Sequence, residues 1–263
     1  MFCIIVRGKF RFYVLRIYLS CSIGYLIYNV LVYCNMKNTN IKVVKDIAIQ
    51  LIYTKPEPIE DFGFYKHPYI GHPVIMLPDT NESFNIFQDI EKYHLWQEEL
   101  AENIRHMRNA YSIACLIKTY YKSVFFEFIK EYLSEKDFAE ILSNYWAAVG
   151  ITDVPKTKFL LWFQEANKSY LMDKGERKVF DALPEKVTIY RGVDDPEYKY
   201  GFSWTLDKKV ARWFANRNQG NGTYVYECTV DKKDLICYFQ IRNEKEVIIN
   251  PETLKEYEIR TTY

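Results

Sequence analysis

The spacing of apolar positions changes character once along the chain, near Lys186. Before that point, Phe84, Phe87, Ile90, Tyr93, Leu95 and Trp96 recur at threes and fours. The pattern runs on through Ile104, Met107 and Tyr111 to Phe128, which predicts amphipathic helices across residues 84–149. Ser134-Glu135-Lys136-Asp137 has the form of a capping box opening a helix that ends at Gly150, and Asp153 with Pro155 opens a third that reaches about Leu171. From Lys186 onward the runs KVTIY, TYVYECTV, DLICYF, EVIIN and YEIRTT are short and β-rich, divided by Asp, Asn, Gly and Pro. One helix interrupts them, Asp207 to Arg217, capped by Asp207 or Thr205 and burying Val210, Ala211 and Phe214. The order predicts an α+β chain, helices first and an antiparallel sheet last.

The lead into the helices is less regular. Residues 40–53 (NIKVVKDIAIQLIY) fit either a strand pair or a short helix. Five of the nine prolines fall between Pro56 and Pro78, with Gly63 and Gly71, and predict an irregular loop. His67 and His72 sit in it and read as surface-loop histidines, because no third metal ligand is near. The aromatic stripe of Phe125, Phe126, Tyr132, Trp146, Trp162 and Phe163 reads as core. The expected organisation is an apolar front over 1–35, a lead over 36–83, a helical region over 84–175 and a β-rich domain over 176–263.

Composition narrows the class. With 263 residues, 49% hydrophobic and 26% charged, the chain can bury a sizeable core and is neither disordered nor collagen-like. A formal charge of +1 excludes a strongly basic, nucleic-acid-coating protein, and residues 186–263 hold thirteen basic and twelve acidic side chains, with no electrostatic footprint for nucleic acid. Arg7, Lys9, Arg11 and Arg16 stand at the front without an acid, which leaves the remainder at −3. They are followed by Ile17–Cys34, eighteen residues without a charge. Two readings of residues 1–35 stay open: a membrane or export anchor, or an extension upstream of a start at Met36. Of the six cysteines, Cys115, Cys228 and Cys237 lie in the body; they are odd in number and show no CxxC or Cys/His spacing, which points, for the body, to a reduced, cytoplasmic compartment and to no metal.

Three features of the β-rich part carry chemistry. Val187, Ile189 and Arg191 share a face by the period of two, so the guanidinium emerges on a buried side where it needs an anionic partner, and Gly192 after it allows close approach to the backbone. Ser203 and Thr205 lie two apart on an extended segment, Gly201-Phe202-Ser203-Trp204-Thr205, that leads into the capped helix. Glu244 and Glu246 project from one face, Glu246 in phase with Ile248 and so directed towards buried surface, where an unpaired carboxylate is costly.

Arg-Gly, then Ser-x-Thr, then Glu-x-Glu in that order resembles the signature of the ADP-ribosyltransferases of the arginine–serine–glutamate class, the cholera-toxin-like branch. With VTIYRG, GFSWTLDKKVARWFA, ICYF and RNEKEVIINP, residues 176–251 are similar to compact ADP-ribosyltransferase domains of phages and bacteria. The resemblance implies a split antiparallel β-sandwich and cleavage of NAD⁺ at the nicotinamide–ribose bond. It implies that Glu246 faces the ribose, that Arg191 holds a phosphate or the ribose rim, that Gly192 main-chain groups bind the nicotinamide amide, and that Ser203 positions Glu246 while Thr205 supports the strand at the NAD⁺ site. Glu244 would orient or deprotonate an acceptor, with arginine favoured, and Tyr190, Trp204 and Phe239 are stacking candidates for nicotinamide. Only eleven residues separate Arg191 from Ser203, fewer than in the larger toxins, so DDPEYKY must form a tight loop near the adenosine side. The expected activity is mono-ADP-ribosyl transfer to a protein; the alternatives are NAD⁺ glycohydrolysis and a non-catalytic interaction module with a vestigial transferase fold.

Overall fold

The computed structural model describes residues 38–263 apart from 60–62, 78–81, 149–154, 218–222 and 263, together with two strands nearer the front. Those strands, β1 (Val14–Ser20) and β2 (Tyr25–Leu31), pair antiparallel within a unit of residues 1–36. Where the chain is described, a hairpin rich in β-branched and aromatic residues therefore replaces the spanning helix considered over Ile17–Cys34. Residues 21–24 and 32–34 of that stretch lie outside the described residues. Among the described residues no helix is long and apolar enough to cross a membrane.

Residues 37–263 form the second unit. It opens with α1 (Ile41–Ile52), capped by the Asn40 side chain; Val44, Ala48 and Ile52, four apart, are buried, and this spacing resolves the ambiguous segment as a helix. The proline-rich stretch is more ordered than expected: β3 (Glu57–Ile59) pairs with β4 (Phe64–Lys66), and β5 (Val74–Met76) with β6 (Ser83–Asn85).

His67 is a correction to the surface-loop reading. It is buried, its Nδ1 accepts the N–H groups of Tyr69 (3.1 Å) and Ile70 (3.2 Å), and its Nε2 lies 3.3 Å from the Ile52 carbonyl. The ring ties the loop to the end of α1, and burial lowers its pKa to about 4, against the opposing pull of the Ile52 and Thr54 backbone. The folded value lies below the unfolded one, so this contribution is full above about pH 6.5 and is lost as the pH falls from there towards 4. Urea unfolding is expected to show about 3 kcal/mol less stability below pH 4 than at pH 7 from this group, and a flatter profile in His67→Gln.

The helical region holds α2 (Ile90–His106), α3 (Ala110–Leu116), α4 (Thr119–Ile129), α5 (Glu135–Ala148), α6 (Lys156–Glu165), α7 (Lys168–Leu171) and α8 (Lys174–Asp181). Extended backbone at Met107 and Ile117 breaks the run, and the Asn109 side chain restarts it by accepting the Ser112 N–H at 2.7 Å. Ser134 caps α5 as expected, but Asp137 takes the Thr39 hydroxyl instead of closing a box. The boundaries expected at Gly150 and Asp153 lie outside the described residues.

The sheet follows: β7 (Lys186–Val193), β8 (Ser203–Thr205), α9 (Lys208–Asn216), β9 (Tyr224–Asp231), β10 (Leu235–Phe239), β11 (Glu246–Ile249), α10 (Pro251–Leu254) and β12 (Ile259–Thr262). The six strands are antiparallel in the order β10-β11-β8-β7-β9-β12. β7 pairs with β9 over its whole length, whereas β7 and β8 share the single bridge Tyr190–Thr205. The sheet is therefore two half-sheets hinged at one point. Helices and sheet share one core, with Phe163 against Phe239 (5.9 Å between ring centres) and Trp146 against Phe202 (5.2 Å). The expected boundary at 175–176 falls inside the first turn of α8.

Candidate active site

The opening between β7 and β8 organises the chemistry. The Ile249 N–H bonds the Phe202 carbonyl, so the main-chain groups of Ser203, one residue on, point the other way, towards β7. Beyond the Tyr190–Thr205 bridge no β7 strand meets them, and the Arg191 side chain takes that place: Nη1 donates to the Ser203 carbonyl at 2.6 Å and Nε to the Tyr198 carbonyl at 2.8 Å. A Cβ at Gly201 would run into this guanidinium, so glycine there leaves room for it. Burial lowers the Arg191 pKa to about 10, partly offset by the charge of Glu246, and the group stays cationic at neutral pH. Among the described residues it has no carboxylate in ion-pair contact.

Glu246, the first residue of β11, stands opposite Thr205, and its carboxylate crosses diagonally to Ser203. The Ser203 hydroxyl donates to Oε1, and the indole N–H of Trp146 donates to Oε2 at 2.9 Å. Burial pushes the Glu246 carboxyl above its ordinary value; the Ser203 and Trp146 bonds oppose that, the charge of Glu244 adds to it and that of Arg242 opposes it. Arg191, Ser203 and Glu246, from β7, β8 and β11, are thus linked through two consecutive hydrogen bonds.

Trp146 was read from the sequence as core. It does pack on Phe159, Phe163 and Phe202, yet its N–H serves the carboxylate from α5, a hundred residues away in sequence. The only sequence signal was that a half-buried indole N–H requires an acceptor.

Other expectations change. Glu244 is not one pleat along from Glu246: it has helical φ/ψ (−80°, −13°), Lys245 after it is left-handed at φ 47°, and the strand begins at Glu246. Its carboxylate pairs with Arg242 at 3.0 Å. Arg242 (φ 55°) and Asn243 (φ 58°) are left-handed too, so three non-glycine residues in this class crowd the turn before Glu246. Thr205 is buried and fully engaged, donating to the Glu244 carbonyl at 2.6 Å and accepting the Asp207 N–H at 3.0 Å, so it shapes the turn and is not presented to a ligand.

None of the three stacking candidates is available. Tyr190 lies on the opposite face of β7 from Arg191, packed with Ala211, Ala215 and Val225 beneath α9. Trp204 and Phe239 are buried in the core, the indole N–H of Trp204 donating to the Gly201 carbonyl. Gly192 is corrected in part. Its Cβ position is filled by the α9 backbone, 2.6 Å from the Ala211 carbonyl carbon and 2.8 Å from the Ala215 nitrogen, so glycine is required by helix packing. Its peptide groups have the same alternation as those of Tyr190 and face the opening between the half-sheets.

Trp146→Phe is expected to keep the packing and remove one charge-assisted bond, which raises the Glu246 pKa further. The Glu246 carboxyl should titrate at higher pH in the variant than in wild type, which NMR of its side-chain carboxyl would measure.

Among the described residues no cluster of three or more His, Cys, Asp or Glu is placed to hold a metal ion. Comparison of the chain with family models, with curated proteins and with solved structures returns no match.

Proposed function

We propose that this chain is a mono-ADP-ribosyltransferase that cleaves NAD⁺ at the nicotinamide–ribose bond and passes ADP-ribose to a protein side chain. The observation that carries the reading is the hydrogen-bonded line from Arg191 through Ser203 to Glu246 at an opening between two half-sheets. Nicotinamide leaves as a neutral molecule, so the bond needs no general acid. It needs a negative charge set against a ribose that becomes oxocarbenium-like. Glu246 supplies that charge; its two donors hold the carboxylate in one orientation, so little reorganisation is required when the positive charge develops. Arg191 is a half-buried cation whose hydrogen bonds among the described residues go to carbonyls, and an anionic phosphate complements it. Gly192 offers its peptide groups to the carboxamide from the same opening.

A second reading, water as the acceptor, is favoured by one observation: Glu244, the residue that would activate an acceptor, is held by Arg242 off the strand. Incubation with adenylate-labelled NAD⁺ and bacterial lysate separates the two. Nicotinamide release with label on protein supports transfer, release without label supports hydrolysis, and no release from folded protein removes both.

A further inference from the structure

The sheet face that carries Arg191 extends beyond the residues used so far. Tyr226 stands opposite Arg191 and Tyr224 opposite Val193 in the β7–β9 register, so both tyrosines share the Arg191 face. Their rings are nearly parallel, 8° apart with centres separated by 6.5 Å. The loop after β7 folds back over them: its Tyr198 carbonyl accepts Arg191 Nε, and Lys199 Nζ stands 5.5 Å from the Tyr226 ring centre and 5.3 Å from that of Tyr200. Lys199, like Arg191, forms no ion pair among the described residues; Asp195 in the same loop accepts the Glu197 N–H at 2.8 Å, and its charge also acts on the Tyr226 hydroxyl. Tyr226 is buried and forms the floor, whereas Tyr200 is 44% exposed and Tyr224 partly so.

Two cations without carboxylate partners beside a bank of tyrosine rings suit a ligand with two adjacent negative charges and a flat aromatic base. We infer that this platform binds the adenosine diphosphate half of the dinucleotide, with Lys199 joining Arg191 at the diphosphate and the adenine stacked on Tyr200 and Tyr224. The inference rests on the NAD⁺ reading for the scissile half, and the tight loop over residues 194–200 becomes the part that determines dinucleotide specificity.

The test pairs a binding measurement with a substrate comparison. Calorimetry with ADP is expected to show binding to the full chain that weakens about tenfold in Tyr200→Ala and in Lys199→Gln, while Tyr200→Phe, which keeps the ring, retains it. In nicotinamide release, the ratio of kcat/KM for NAD⁺ over nicotinamide mononucleotide, which has the same scissile bond and no adenosine, should fall about tenfold in Tyr200→Ala. ADP affinity equal to wild type in both weakened variants, or no ADP binding by a protein that still releases nicotinamide from NAD⁺, overturns the platform alone. ADP binding that remains sensitive to Tyr200 in a protein that cleaves neither substrate upholds the platform and removes the cleavage reading. Absence of both overturns both.

Discussion

Under the proposed function, nicotinamide release from NAD⁺ should fall by two to three orders of magnitude in Glu246→Gln, with the fold retained. The glutamine keeps the volume and an acceptor for the Trp146 N–H, and its amide can donate to the Ser203 hydroxyl, so both contacts survive in altered polarity. What disappears is the charge that the proposed function sets opposite the ribose, and loss of one preorganised electrostatic group in an enzyme site costs on the order of 10²–10³ in turnover. Stability follows a different sign. Burial raises the wild-type carboxyl above its unfolded value, so the charged form is held in the folded state at a cost that grows as the pH rises through the unfolded pKa. Removing that charge is expected to leave the melting temperature at pH 7 equal to wild type or higher. Rate and melting curves measured on one preparation check both halves: an active variant removes the role given to Glu246, and an unfolded one shows that the carboxylate is needed for structure.

Gly192→Ala is expected to have the largest effect on stability. The new methyl group would meet backbone atoms of α9 (the carbonyl of Ala211 and the nitrogen of Ala215) and no flexible side chain that could swing away. Either α9 lifts off β7, giving up the burial of Ala211, Ala215 and Val225, or β7 shifts and moves Arg191 with it. A loss of about 3 kcal/mol, or roughly 10 °C in melting temperature for a chain of this size, is the expected result. Thermal unfolding followed by circular dichroism measures it. A variant that melts with wild type would mean that α9 is not closely seated on β7.

Much of the architecture was legible because its signals are local. The change in apolar period near Lys186, the caps at Ser134 and Asp207, and the runs that became β7, β9, β10 and β11 each depend on dihedral preferences and hydrogen bonds within a few residues. The proline-rich stretch and His67 were misread because prolines and glycines mark turns without saying what the turns pack against. A histidine buried by α1 has the same local sequence as one in water.

From its residues alone the chain determined α before β, and an arginine, a serine and a glutamate each placed on a strand. Only the assembled fold decided that β7 and β8 touch at one bridge, leaving a gap in which Arg191 bonds Ser203 and Ser203 bonds Glu246. The same level set Trp146 on the carboxylate, turned Tyr190 to the far face, buried Trp204 and Phe239, and gathered Lys199 with three tyrosines beside the guanidinium. The reason is physical. Period and capping govern which way a side chain leaves its own backbone, but the neighbour it meets depends on strand order, register and the layer stacked above, and those arise from contacts between segments far apart in the chain.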